Sequence, residues 1–396
     1  MPRFEPFRAL RYSTKVSLDK TIAPPYDVLS ERDVNELRDM DEHNIVWIDV
    51  PDGGDDRYQI AAFRLGEWQR DGVLVRDDHP SFTIYRMKFV DAAGKQREIS
   101  GVLGGIEVVD EKAGGVLAHE RTTKKAKSDR LDLTRATAAN LSPAWGLSLA
   151  SGLTDVLAEP GLPVGCVEVE GVQHIVEKVD DPKRVAKISR MVESADVLIA
   201  DGHHRYAISR EYRDEIRKAT RSKSTEAECT LMFVNELVED QLAIEAIHRL
   251  YDGVSFRQLK EDLSGCFEFE KFDQKLTPQT LTDMETSGRL VLISPHGRPT
   301  WLKPRPGAFL GVRDLDGAWL EHALAGSLAK VSYQHGLKEV LNEVSHHAAA
   351  ILVRPTSLAE IRRTAEERLL MPPKSTFFTP KLRTGFVIRP TAKLPD

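Results

Sequence analysis

Four apolar residues, Val197-Leu198-Ile199-Ala200, run straight into Asp201-Gly202 and then into a pattern of helical period from Arg205 to Ile216. The run is too short for a helix and is closed by a turn dipeptide, so it predicts a buried strand, a tight turn and a helix. Two stretches rich in β-branched or alternating apolar residues, Ser81 to Val90 and Glu98 to Val109, flank Asp91-Ala92-Ala93-Gly94 and predict a hairpin. Ser30 is placed to cap a helix from Glu31 to Arg38, with Asp33 as the shorter carboxylate of a capping box. Tyr58 to Asp71 reads as an amphipathic helix offering Ile60, Phe63, Leu65 and Trp68 to a core. Asn44 to Val50 and Cys166 to Val169 read as strands, and Pro182 to Ser194 as a helix. Leu131 to Ala139 reads as a helix that passes into a turn from Asn140 to Gly146, and Thr230 to Glu236 as a strand paired with Val197 to Ala200.

From Phe256 the pattern changes to a separate alternation of elements. Helices are expected at Phe256 to Leu263, Leu320 to Leu328 and Ser357 to Arg368, with strands at Leu290 to Ser294 and Ala348 to Val353. Met371 to Leu382 is too rich in proline for regular structure, and its paired phenylalanines should fold back over something. The fold class expected is α/β, in the broad sense that includes α+β. A chain of 396 residues exceeds what one core usually organises. Three segments are expected: 1–115, an N-terminal α/β region; 116–255, the core that carries the Asp201 motif; and 256–396, a C-terminal α/β module with its Pro-rich tail.

Composition narrows the function classes. A formal net charge of -6 argues against a general binder of nucleic acid or anionic membrane, which needs a positive field. The three cysteines, Cys166, Cys229 and Cys266, form no CxxC and no histidine-paired cluster, so neither a disulfide framework nor a zinc knuckle is implied. Met1-Pro2-Arg3-Phe4-Glu5-Pro6 has no apolar h-region and no apolar run reaches the length of a bilayer span, so a cytoplasmic protein is expected.

The candidate chemistry sits at two places. At the Asp201 turn, free N–H groups of the first helical turn and the guanidinium fork of Arg205 suit a phosphate or carboxylate, and Asp201 can hold a cation or a hydroxyl. The plainer alternative is an ordinary connection in which Asp201 caps the helix and the histidines decorate the surface. His119 to Arg130 interleaves five lysines and arginines with Glu120 and Asp129. Such a run is either a solvated helix face or a polyphosphate site with a general base beside it. No GxxxxGK[ST] or GxGxxG loop occurs. His203 and His204, as adjacent helical residues, point about 100° apart and cannot easily share one ion, which weakens a metal-hydrolase reading.

Six motifs stand together in order: Pro6-Phe7-Arg8-Ala9-Leu10-Arg11-Tyr12; Ala23-Pro24-Pro25-Tyr26-Asp27-Val28; His119-Glu120-Arg121-Thr122 with Lys127-Ser128-Asp129-Arg130; Ser142-Pro143; Asp201-Gly202-His203-His204-Arg205-Tyr206; and Met371-Pro372-Pro373-Lys374-Ser375-Thr376. In this order they resemble the domain-of-unknown-function family numbered 1015, over nearly the whole chain. The Asp-Gly-His-His-Arg signature is also similar to that of free serine kinases of the ParB/sulfiredoxin-like superfamily. That likeness implies a ParB/sulfiredoxin-like core and phosphoryl transfer from ATP or ADP, with Mg²⁺, to a small hydroxyl compound such as free serine. It gives the phosphates to the N–H groups after Gly202 with His203 and Arg205, and places His204 among the catalytic groups. Asp201 orients the hydroxyl or Mg²⁺, Glu120 is the first candidate base, and Lys127 and Arg130 neutralise the transferred phosphoryl group. Tyr26, Asp27, Thr122, Lys374 and Ser375 are expected to bind substrate, with the Pro24–Asp27 turn and the tail converging on the same cleft. The partners implied are a nucleotide and a small-molecule substrate. The alternatives are a nucleotide-operated switch or ParB-like module without kinase activity, and a noncatalytic scaffold.

Overall fold

The structure, a computed structural model, describes residues 1–91, 94–111, 113–118 and 127–392, without the side chains of residues 118, 127 and 128. Two compact units make up the chain: Met1–Leu242 together with the chain from Pro380 onward, and Ala243–Thr379. The expected segments met at 115/116 and 255/256 instead. The difference arises because one sheet of the first unit takes strands from both sides of residue 116.

Among the described residues that sheet has nine strands: β1 (Phe4–Glu5), β2 (Phe82–Val90), β3 (Gln96–Glu107), β4 (Val116–Ala118), β5 (Ala144–Ser148), β6 (Leu162–Val169), β7 (Val172–Val179), β8 (Val197–Asp201) and β9 (Cys229–Glu236). Their order is β4-β8-β5-β9-β3-β2-β7-β6, with β1 beside β3. β4 with β8 and β5 with β9 run parallel, and the other pairs are antiparallel. The mixed sheet with helices makes the fold α+β. The expected hairpin is β2 and β3, and its turn closes with Gly94 N–H donating to Asp91 O at 2.9 Å.

Helices α1 (Glu31–Met40), α2 (Val46–Asp49) and α3 (Arg57–Arg70) belong to an N-terminal layer, and α4 (Lys127–Thr137) follows β4. Helices α5 (Leu153–Ala158) and α6 (Pro182–Val192) bury Leu153, Val156, Leu157, Ile188 and Val192 against Val102, Ile106, Val197 and Ile199 of the sheet. A second core joins Ile45, Val46, Ile48, Ala61, Leu65 and Trp68 to Leu10, Leu133, Leu141 and Ile388. Helix α7 (His203–Thr220) lays Ile208 and Tyr212 on Leu131 of α4.

Several elements depart from the sequence pattern. The Ser30 capping box forms as expected, but the strand expected at Asn44–Val50 is the one-turn helix α2. Asn44 decides this: its Oδ1 accepts from Val46 N–H at 3.0 Å while its Nδ2 donates to Lys20 O at 2.7 Å. With Ile45, Val46 and Ile48 all fully buried, packing overrides the β-branched preference for strand. Phe63, expected in the core, is 61% exposed, because the buried stripe of α3 is Ala61, Leu65 and Trp68. The turn expected at Asn140–Gly146 contains the start of β5, which lies between β8 and β9 and so replaces the pairing expected between those two. Trp145 holds β5 there, donating from Nε1 to Asn235 Oδ1 at 2.7 Å.

The second unit is built on a six-stranded antiparallel sheet of β10 (Ile247–Asp252), β11 (Phe267–Lys271), β12 (Leu290–Ile293), β13 (Pro299–Pro304), β14 (Lys330–His335) and β15 (Ala349–Leu352). Its order is β11-β13-β12-β15-β10-β14. Alternate residues feed two cores, Leu290, Leu292 and Ile351 on one face and Val291, Ile293 and Leu352 on the other. The helix expected at Leu320–Leu328 runs from Asp316 to Ala323. Within the tail, Phe377–Phe378 pairs with Ile244–Glu245, a short regular strand where none was expected. Among the described residues no helix is long and apolar enough to cross a membrane.

The approach of β8 and β9 to β5 has a measurable consequence. A Cβ at Gly146 would lie 2.6 Å from both Met232 Sδ and Val197 Cγ1. Gly146→Ala is therefore expected to lower the unfolding free energy by about 1 to 3 kcal/mol in urea titration, and an unchanged midpoint would contradict this packing.

Candidate functional site

Strand β8 ends at Asp201, and the chain then turns through Gly202 at φ +81 before α7 begins. The left-handed conformation suits glycine, and a Cβ there would also lie 3.0 Å from both Ala144 Cα and Arg205 Nε. Tyr206 pins the first turn of the helix to β3, its hydroxyl donating to Glu107 O at 2.8 Å and accepting from Val109 N–H at 2.9 Å. Asp201 and Arg205 therefore stand on rigid backbone.

Both carboxylate oxygens of Asp201 are engaged. Oδ1 accepts the Gly202 N–H at 2.9 Å, and Oδ2 accepts Lys381 Nζ at 3.1 Å with Arg205 Nη2 3.6 Å away. Burial opposes the charge, yet Lys381, Arg205 and the Gly202 N–H outweigh it and hold the carboxyl well below the usual carboxylate range. Lys381 arrives on the segment that returns from Pro380. That segment is threaded through the first unit by backbone bonds of Thr384 with Ala23, Ile388 with Leu10 and Arg389 with Asn140.

Beside the turn lies a small cleft of about 50 Å³, lined in part by Tyr26, Asp49, Arg130, Ser142, Arg205 and Ser209. Arg205 is fixed by donating from Nη1 to Pro143 O, and Arg130 by donating from Nη1 to Asp49 O. Arg130 stacks on the Tyr26 ring at 4.2 Å and also donates from Nε to Asp129 Oδ2 at 2.9 Å. Although burial works against the charge of Arg205, Asp27, Asp201, Tyr26 and Asp49 more than compensate and raise its pKa. Asp49, 4% exposed, accepts from Ser142 Oγ at 3.3 Å and lies 3.4 Å from Arg130 Nη1. Burial pushes its carboxyl above the usual value against the pull of Arg130 and Arg205.

Of the residues expected from sequence, Tyr26, Arg130, Asp201, Gly202 and Arg205 gather around this cleft and turn, and Asp27 reaches it through its charge on Arg205. His203 and His204 open α7 in half-buried positions. Lys127 begins α4, but its side chain, like Glu120 and Thr122 as whole residues, lies outside the described residues. Lys374 and Ser375 belong to the second unit. There Lys374 O accepts from Arg249 Nη1 at 3.1 Å and Ser375 Oγ donates to Pro372 O at 2.7 Å. Sequence reasoning missed Asp49, which it placed in a strand. The available signal was a lone carboxylate inside the apolar run Ile45-Val46-Trp47-Ile48-Asp49-Val50.

Residues 4–318 match the family described as Protein of unknown function (DUF1015). The chain belongs to this family. No curated protein matches this DUF1015 member. Among solved structures, SbnI with C-terminal truncation from Staphylococcus aureus is similar at 12% identity and TM-score 0.39, over 72% of this chain and 87% of its own. A conserved hypothetical protein from Pyrococcus furiosus is similar at 10% identity and TM-score 0.38, over 69% and 92%. A mutant free serine kinase in complex with ADP is similar at 12% identity and TM-score 0.36, over 70% and 95%. At TM-scores below 0.5 these likenesses assign no property to the DUF1015 chain.

Asp201→Asn leaves Lys381 and Arg205 facing a neutral amide in a largely enclosed place. The expected loss of stability is roughly 1 to 3 kcal/mol by urea titration, and smaller in a Lys381→Met background. Because the folded carboxyl is held low, the difference persists at neutral pH and fades as the pH falls below about 4 toward the depressed value. Equal losses in both backgrounds would show that the pair is uncoupled.

Proposed function

We propose that this DUF1015 member is a nucleotide-dependent phosphotransferase for a small hydroxyl compound, by resemblance free serine, and that the cleft beside the Asp201 turn is its phosphate site. The observation that carries the reading is the pair of guanidinium groups lining one cleft, Arg130 with 12% and Arg205 with 11% of the side chain exposed. Each is held in place by a neutral backbone carbonyl. Fixed, poorly hydrated guanidinium forks are suited to charge that spreads over phosphoryl oxygens, because they need little reorganisation as that charge develops. Arg205 and the N–H groups of the first turn of α7, with His203 and His204, would take the donor phosphates. Arg130 and Lys127 would neutralise the transferred group, and Tyr26 and Asp27 would border the acceptor. The resemblance alone would give Glu120 the base role and Thr122 a substrate role.

Magnesium does not fit Asp201 in this arrangement. Its oxygens are taken by an N–H and an ammonium, with a guanidinium alongside, so the carboxylate offers no free donor set. Among the described residues no group of three or more histidines, cysteines or acids is arranged to hold a metal ion. No step is assigned to one here, and Asp201 acts by positioning Arg205 and Lys381.

Titration calorimetry with ADP and ATP tests the site. Arg205→Ala is expected to weaken nucleotide binding by roughly 1 to 3 kcal/mol, the value of one charged hydrogen-bonding contact. Incubation with labelled nucleotide and a panel of amino acids should yield a phosphorylated hydroxyl product. Failure of the wild-type chain to bind either nucleotide would overturn the reading, and binding without transfer would favour a nucleotide-operated switch.

A further inference from the structure

We propose that Asp49 is the group in the cleft that takes the proton from the acceptor hydroxyl, with Ser142 and Thr384 fixing its orientation. The inference rests on the phosphotransferase reading and names a residue that the sequence motifs leave out. Asp49 ends the one-turn helix α2, is almost fully buried, and lines the same cleft as Arg130 and Arg205. Its carboxylate is loosely held: Ser142 Oγ donates to Oδ2 at 3.3 Å, and Arg130 Nη1 stands 3.4 Å from Oδ1. Ser142 is itself set by Thr384, whose Oγ1 lies 2.7 Å from the serine oxygen. With the Ser142 proton committed to Asp49, the Thr384 hydroxyl is the donor of that pair. The returning C-terminal segment thus fixes one side of the carboxylate, and among the described residues Oδ1 has the longer contact to Arg130 alone.

The contrast with Asp201 decides which acid can act as a base. Asp201 faces Lys381 and Arg205 at close range and is kept ionised and weakly basic. Asp49 is faced by Arg130 and Arg205 as cations and by Asp27 and Tyr26 as acids, and its burial outweighs the two guanidinium groups so that its basicity rises. In the step proposed, the acceptor O–H gives its proton to Asp49 as the acceptor oxygen bonds to the transferred phosphorus. The bond from that phosphorus to the bridging oxygen breaks, and its electron pair stays with the departing nucleotide. The proton on Asp49 then leaves to water through the open side of the cleft.

Asp49→Asn keeps the shape and removes the base. Turnover is expected to fall by about 10²-fold or more while the dissociation constant for ADP changes by less than about threefold, and Asp49→Glu should restore part of the turnover. In the wild type, kcat should decline as the pH falls through a value above that of an ordinary carboxylate, and this limb should be missing from the residual activity of Asp49→Asn. Full turnover with an unchanged acid limb in Asp49→Asn would overturn the proposal and return the role to Glu120. Parallel loss of ADP affinity and turnover would also overturn it, making Asp49 a binding residue. Absence of transfer by the wild-type chain would mark failure of the phosphotransferase reading itself, a result distinguishable from either.

Discussion

At the end of a buried strand, Asp201 meets Lys381 and Arg205, and the geometry of the candidate site depends on that meeting of charges. The carboxylate joins parts of the first unit that are far apart in sequence: the β8 turn, the start of α7 and the segment that returns from Pro380. Each contributes a charge that would be costly to enclose alone. Gly202 makes the arrangement possible by turning left-handed where a side chain would press on Ala144 and Arg205. The Tyr206 hydroxyl, bonded to both Glu107 and Val109, then prevents the helix from drifting off the sheet.

The same enclosure gives two aspartates opposite characters. Asp201 is surrounded by donors and its charge is secured, which suits it to hold cationic side chains in place. Asp49 has one hydroxyl and a longer guanidinium contact, and burial raises its affinity for a proton. Two carboxyl groups whose environments push them apart are a common arrangement where one group must organise charge and another must accept a proton. Arg130 and Arg205, each anchored on a backbone carbonyl, supply fixed positive charge in the cleft.

Much of this was readable from the chain itself. The Val197–Ala200 run with Asp201-Gly202 foretold the strand, turn and helix, and Arg205 was singled out by its place in the first helical turn. The Ser30 box and the β2–β3 hairpin followed from local chemistry. Other features needed tertiary information. Asn44 turned a β-branched run into a helical turn by bonding backbone across to Lys20, and this hid Asp49 from periodicity. Strand β5 was hidden because Pro143 stands immediately before it and Gly146 within it, although Trp145 and Leu147 are buried on one of its faces and Ala144 on the other. The tail was expected to fold back, but which of its lysines would meet Asp201 depends on backbone pairings of Thr384, Ile388 and Arg389 that no local pattern encodes.

Amide hydrogen exchange of the full chain, with and without ADP, tests most directly whether the Asp201 turn and its cleft form the ligand site. Slowed exchange should concentrate at residues 201–209, 139–142 and 46–49, where the turn, the cleft wall and α2 meet. Protection confined to residues 243–379, or no protection at a saturating nucleotide concentration, would contradict the assignment of the site.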